Sequence, residues 1–272
     1  MNSIKSAMNV ILKKLCFSTT GFNEHDDSCP MFREIPTINK TLPVDDAFSP
    51  QTHPIPVLSV REMFAANAKL IRELCYASSL SEEVQRFLLP VITNLAKIVH
   101  LVPASDHYHH GYGGLFKHSL EVAYYAANEA RMTIFDRNAS PKEKYLNSRR
   151  WILITILAGL SHDMGKVFSY MEITDGNGAF WEAYEPLLTW VRKNQLKQYY
   201  IRCCFECKDN AYKHAALVHI DKLIPADTYA FLALTGIGDR LTDELRKAVM
   251  QRAGLIGHIL NNADELSQRH GQ

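Results

Sequence analysis

The sequence has no excess charge of either sign. In its 272 residues, 30 lysines and arginines stand against 29 aspartates and glutamates, a net charge of +1. A balance this close excludes a protein-wide basic field, so any DNA-binding surface has to be a local patch. It also lacks a cysteine framework: Cys16, Cys29, Cys75, Cys203, Cys204 and Cys207 follow no regular spacing, and no secretory signal precedes them. That pattern excludes a disulfide scaffold and points to reduced thiols in a cytoplasmic protein. Cys204-Phe-Glu-Cys207 has no second pair at a suitable distance, which excludes a zinc ribbon. The first twenty residues offer only the short apolar run Val10-Ile11-Leu12, broken by Lys13-Lys14. A membrane span needs roughly 18 apolar residues, so the N-terminus is not expected to insert into a membrane. Internal repeats and low-complexity tracts are missing too, which excludes a solenoid.

What is present suits a globular fold, since 47% of the residues are hydrophobic. Pro30, Pro36, Pro43, Pro50, Pro54 and Pro56 are spaced so that no helix can run through them, and residues 1–55 are expected to form an extended arm. Residues 56–272 are then one domain. From Val60 the apolar residues recur at helical spacing: Met63, Leu70, Ile71 and Leu74 share one face. Ser81 is the expected N-cap of a helix over Glu82–His100, and the two form a helical hairpin. Gly113-Gly114 opens a third helix, Leu115 to about Arg131, with His118 on its inward apolar stripe. Pro141 starts a fourth, which ends in Trp151-Ile-Leu-Ile-Thr-Ile-Leu-Ala-Gly-Leu160, a segment apolar enough to be buried on most sides.

One stretch departs from helix. Val167–Thr174, the turn Asp175-Gly-Asn-Gly178 and Ala179–Tyr184 have the alternation and turn residues of a β-hairpin, with a short strand expected from Gln198 to Phe205. Helices resume over Ala211–Leu223, Ala226–Leu234 and about Thr242–Asp264. The fold expected is a mainly α bundle with a small inserted β-hairpin.

His162 and Asp163 close the buried fourth helix, where polar groups are costly unless paired or metal-bound. A His-Asp doublet alone is as readily a structural pair. Here His118 on an upstream helix and Asp264 in Ala263-Asp264-x-x-Ser267 add a second imidazole and a second carboxylate. That mixed nitrogen and oxygen shell suits one or two divalent ions such as Mn, Fe, Mg, Co or Zn. The order, spacing and helical placement resemble the HD metal-dependent phosphohydrolase superfamily. The resemblance implies a helical HD bundle and an ion that activates water and polarises a phosphoryl oxygen, with Asp163 bridging if two ions bind.

A narrower resemblance rests on Pro103-Ala-Ser105, His107-Tyr-His109-His110 and Gly113-Gly-Leu-Phe-Lys-His-Ser-Leu-Glu-Val-Ala123. Further matches are Gly178 and Trp181 of the hairpin, Pro186-Leu-Leu-Thr-Trp190, Tyr200-Ile-Arg202, His214 and Leu223-Ile-Pro225. Together, over roughly residues 56–267, they resemble the N-terminal domain of TraI-type relaxases of the MOB-H class. The resemblance implies a DNA-nicking activity at a transfer origin in conjugation, with single-stranded DNA and other conjugation proteins as partners. It also implies that imidazoles of the histidine run bind the scissile phosphate, act as general acid or complete a metal shell. The family signature is an unbroken triple-histidine run plus the HD motif. Tyr108 interrupts the run here, so His107, His109 and His110 all stay candidates.

His214 opens a helix at the place where the resembled family has a histidine, which makes it the best candidate for a second-metal ligand, and His219 turns away from it along the helix. Lys166 is placed either to contact phosphate or to interact with the carbonyls ending its helix. His100 and His258 read as surface or core histidines. Arg192, Lys193, Lys197, Arg202, Lys208 and Lys213, interleaved with Trp190, Tyr199, Tyr200 and Phe205, outline a path for a DNA strand, or an ordinary solvated face. Two other functions fit the same site: a phosphohydrolase of nucleotides or cyclic dinucleotides, and a catalytically silent module of the transfer machinery.

Overall fold

A computed structural model describes residues 54–105, 107–203 and 210–271. The expected arm lies outside these residues except for its last two, and so do Cys204, Phe205, Cys207 and Lys208. The described chain is mainly helical, as expected, with a small sheet at one flank.

The axis is α5 (Pro141–Ser161), numbered after α1 (Val60–Ala66), α2 (Ala68–Ala77), α3 (Leu89–Val99) and α4 (Gly114–Arg131). Ser140 and Glu143 form a reciprocal capping box and Pro141 occupies the first turn, which fixes where α5 begins. From Trp151 to Ser161 every residue of α5 is buried. The stretch around it is apolar enough to cross a membrane, yet 89% of that window is enclosed by the protein, so it serves as the core helix. Its hydroxyls are satisfied within the helix, Thr155 bonding Trp151 O at 2.8 Å and Ser161 bonding Leu157 O at 2.7 Å.

Helix α4 packs on α5 with backbone nearly touching backbone. A Cβ on Gly159 would lie 2.7 Å from the Cα of Ala123, so glycine is what permits the approach. His118 and His162 lie toward the same end of that contact. The chain continues through α6 (Lys166–Ser169), β2 (Met171–Thr174), α7 (Leu187–Lys193), β3 (Gln198–Cys203), α8 (Ala211–Val218), α9 (Ile220–Leu223), α10 (Ala226–Ala233), α11 (Gly238–Gln251) and α12 (Gly254–His270). Helix α12 covers α4, and Asn262 bonds Glu129 across that contact at 3.1 Å.

Several local expectations are corrected. Ser81 is no N-cap: it has φ +50°, and the chain winds as a 3₁₀ turn over Ser81–Glu83 and a π turn over Val84–Leu88 before α3. Pro90 in the first turn of α3 explains this, because it lacks an N–H and its ring crowds the carbonyl one turn earlier. The hairpin is shorter than expected, since Val167–Ser169 belong to α6. Asp175 folds the turn by accepting from the amides of Asn177 and Ala179, and Trp181 N bonds Ile173 O at 2.8 Å. The main partner of β2 is β3, which also pairs antiparallel with β1 (Ile55–Pro56) to give the order β1-β3-β2. The last helix is two, α11 and α12, separated by Arg252 at φ +52° and Gly254 at φ +76°.

His100 resolves as a core residue that ties the sheet to α3. Fully buried, it bonds Tyr199 Oη through Nδ1 at 2.8 Å and Leu58 O through Nε2 at 3.0 Å. Burial pushes its pKa down to about 4. The unfolded chain therefore binds a proton below its ordinary value of about 6.5 that the folded chain refuses. Stability from this group is complete above pH 6.5 and is lost as pH falls from there towards 4. Denaturant titrations at pH 7 and pH 5 should show that this loss is about 2 kcal/mol smaller in His100→Gln than in the parent. An equal loss in both proteins would show that His100 is not the buried neutral group described.

Candidate metal centre

His118 on α4 and His162 at the C-terminus of α5 are both fully buried, and their Nε2 atoms face one another at 3.2 Å. Asp264 of α12 brings Oδ1 to 3.3 Å from His118 Nε2 and 3.8 Å from His162 Nε2. Asp163 Oδ2 lies 3.6 Å from each imidazole. Among the described residues, His118, His162 and Asp264 form a group whose ligand atoms lie within 4.8 Å of one another and could hold one metal ion.

The outer ring nitrogens show which atoms are free to ligate. His162 Nδ1 is 2.7 Å from Gly159 O, so it carries the proton and donates it. His118 Nδ1 is 3.0 Å from Ser267 Oγ, whose own hydroxyl is donated to Glu121 Oε2 at 2.8 Å. Ser267 therefore accepts from His118 Nδ1–H. Both imidazoles consequently turn a lone pair from Nε2 towards the same point, where only a proton or a cation relieves their repulsion. Two nitrogen donors and a carboxylate are a set that divalent transition metals take readily, so the residues fit the expected ion.

The electrostatics agree with an ion-binding centre. Burial pushes His162 down to about 4, which keeps it neutral. Burial also acts to lower His118, but hydrogen bonds that it donates to Asp163 and Asp264 outweigh it and raise the group above its usual value. For Asp163, burial is outweighed by the paired Lys166 ammonium and by a hydrogen bond accepted from His118, which hold the carboxyl well below the usual range. Asp264 comes down to about 2 against its burial, chiefly through His118 and His162.

Lys166 is buried and ion-paired with Asp163 Oδ2. It also donates to Ala104 O at 3.2 Å and sits 3.4 Å from the Tyr108 hydroxyl. Its bonds thus reach the histidine loop rather than the carbonyls of its own helix. His109 is buried at φ +46°, with Nε2 3.2 Å from both Glu121 Oε2 and Ser267 Oγ. It braces the groups behind His118. His107 is exposed and His110 half-buried, and neither joins the converging ligand atoms. His214 is exposed on α8 and is likewise outside that group.

The basic residues divide. Arg192 and Lys193 join Lys97, Leu188 and Thr189 around a cleft of about 450 Å³ between α3 and α7. Lys193 is 3.6 Å from Glu185, and Arg202 is 3.8 Å from Glu172 on the neighbouring strand. Lys197 is exposed and Lys213 lies over the Tyr212 ring. Of the rings expected to stack on bases, Trp190 and Tyr199 are buried in the core and cannot, whereas Tyr200 is half-buried.

Sequence reasoning passed over Glu121, Gln268 and Arg252. Glu121 is one turn beyond His118, and Gln268 one turn beyond Asp264, where it donates to Asp264 Oδ1 at 2.9 Å. Helical spacing from the two ligands would have found both. Arg252, 3.1 Å from Asp264 Oδ2, carries no such signal because the helix break that aims it was read through.

Ser267→Ala leaves the Nδ1–H of His118 without its partner. Partners behind ligands are worth about 10–100-fold in metal affinity, and Mn²⁺ titration calorimetry should show a loss of that size. Unchanged affinity would remove the assigned role of Ser267.

No curated protein matches the chain. A family model, TraI_2, whose description reads "Putative helicase", matches residues 55–271. The match takes in every candidate ligand of the centre and nearly all of the described structure, and the chain belongs to the TraI_2 family of TraI-type, relaxase-related proteins.

Proposed function

We propose that the chain is a metal-dependent phosphodiesterase module of HD type that nicks single-stranded DNA at a transfer origin in conjugation. The observation that carries this reading is the pair of Nε2 atoms of His118 and His162, which converge with Asp264 inside the protein. A divalent ion held there by His118, His162 and Asp264, with Asp163 beside it, would supply Lewis-acid polarisation of a phosphoryl oxygen and activation of water.

The chain's own residues prepare the centre for this chemistry. Gly159 O and Ser267 accept the Nδ1 protons of the two imidazoles and so aim both Nε2 atoms at the centre, where an ion would replace the proton that His118 otherwise shares with the carboxylates. Lys166 holds Asp163 ionised and places a fixed positive charge between the HD turn and the histidine loop, where a phosphate would enter. The half-buried Tyr108, over which Lys166 sits, forms the wall on that side.

Cleavage is better supported than unwinding. The 272 residues contain no G-x-x-x-x-G-K-[S/T] loop, and Gly165-Lys166 opens a helical turn in which the lysine is committed to Asp163 rather than to a nucleotide. For the strand itself we assign the cleft of Lys97, Arg192 and Lys193, three cations presented together at the surface.

Two measurements test the reading. On single-stranded and supercoiled substrates with a panel of divalent ions, nicking should require an ion and should fall on the order of a thousandfold in His162→Ala, the size of several kcal/mol of lost transition-state stabilisation. Full activity in a folded His162→Ala protein sinks the proposal. For the cleft, replacing Lys97, Arg192 and Lys193 together by Gln should flatten the slope of log K against log salt for single-stranded DNA by about 2, at roughly 0.7 per phosphate. An unchanged slope would place the strand elsewhere.

A further inference from the structure

We propose that Arg252 is a phosphate-binding residue of the centre, its guanidinium receiving a non-bridging oxygen of the phosphodiester beside Asp264. This deepens, and rests on, the phosphodiesterase reading. Arg252 bonds Asp264 Oδ2 through Nη2 at 3.1 Å, with its side chain 15% exposed. Its Nη1 is buried and has no hydrogen-bond partner among the described residues. A buried guanidinium N–H left unmade is costly, and the planar fork is the group best matched to a phosphate.

The backbone is shaped to deliver it. Arg252 ends α11 at φ +52°, a conformation that favours glycine, and α12 starts only two residues later. Gly257 has no side chain where a Cβ would strike the Arg252 carbonyl. Both features bring the arginine close over Asp264 despite the backbone strain.

Charge balance points the same way. Asp163 and Asp264 are matched one for one by Lys166 and Arg252. An arginine next to a ligand carboxylate disfavours a cation. Together with a divalent ion it leaves a positive surplus, which an anionic phosphate offsets.

The test uses the full chain, titrating inorganic phosphate by calorimetry in magnesium-containing buffer and, separately, Mn²⁺ into chelator-treated protein. Arg252→Gly suits the backbone and keeps the fold, while Arg252→Lys keeps the charge and loses the fork. Phosphate affinity should fall at least tenfold in Arg252→Gly and less in Arg252→Lys, with Mn²⁺ affinity unchanged or tighter. Failure of the wild type to bind phosphate, equal phosphate binding in the glycine variant, or a loss of Mn²⁺ affinity as large as that of phosphate overturns the proposal. The last outcome would make Arg252 a support for Asp264 alone. Absence of Mn²⁺ binding in the wild type would instead defeat the metal reading, and the phosphate titration would still decide the role of Arg252.

Discussion

Two imidazole nitrogens meeting at 3.2 Å inside the protein are the constraint on which the rest of the structure depends. Unprotonated, His118 and His162 would repel one another, and buried polar atoms that lack partners cost several kcal/mol. The fold therefore supplies a partner at every outward-facing atom. Gly159 O takes the Nδ1 proton of His162, while Ser267 takes that of His118 and passes its own to Glu121. His109 then closes the ring from the loop side. The close approach of α4 and α5 at Ala123 and Gly159 lets the two rings meet, and α12 brings Asp264 and Ser267 to the same place.

The same centre carries two cations that a bare metal site has no use for. Lys166 and Arg252 each grip one carboxylate, from the HD turn and from the α11–α12 break respectively. Their presence lets the carboxylates stay ionised when no metal is bound, because each buried charge has an opposite neighbour. In the proposed function this makes the cluster two-faced, with imidazole nitrogens and carboxylate oxygens for a cation and basic groups for the phosphate that a phosphoester reaction would bring.

Much of this was legible in the sequence, for identifiable reasons. The strongly apolar run from Trp151 to Leu160 read as a helix buried on most sides, which put His162 and Asp163 at the end of a core helix, where both are buried. The spacing of Leu115, His118 and Val122 put an imidazole on an inward face, and Asp264 followed from the pattern Ala263-Asp264-x-x-Ser267. What could not be read was tertiary. Pro90 loosens the turn before α3 into a π turn, a strain that propensity does not reveal. Val167–Ser169 are too few to show a period, and the chain closes them into α6. The break at Arg252 lies where apolar periodicity simply resumes after Gly254, so the arginine it aims stayed hidden. Tyr108, read as an interruption of a histidine run, turns out to be the residue over which Lys166 sits.

The histidine run shows how a motif can act from behind the chemistry. His109 spends its Nε2 on Glu121 and Ser267, and its amide on Gly271 O at 3.2 Å, so it locks the end of α12 onto the loop. The most direct measurement of the central claim is pulsed electron paramagnetic resonance of the full chain loaded with Mn²⁺. A centre built on His118 and His162 gives couplings to two imidazole nitrogens, and one of them disappears in His118→Ala. Bound manganese without nitrogen coupling, or no retained manganese, would contradict it.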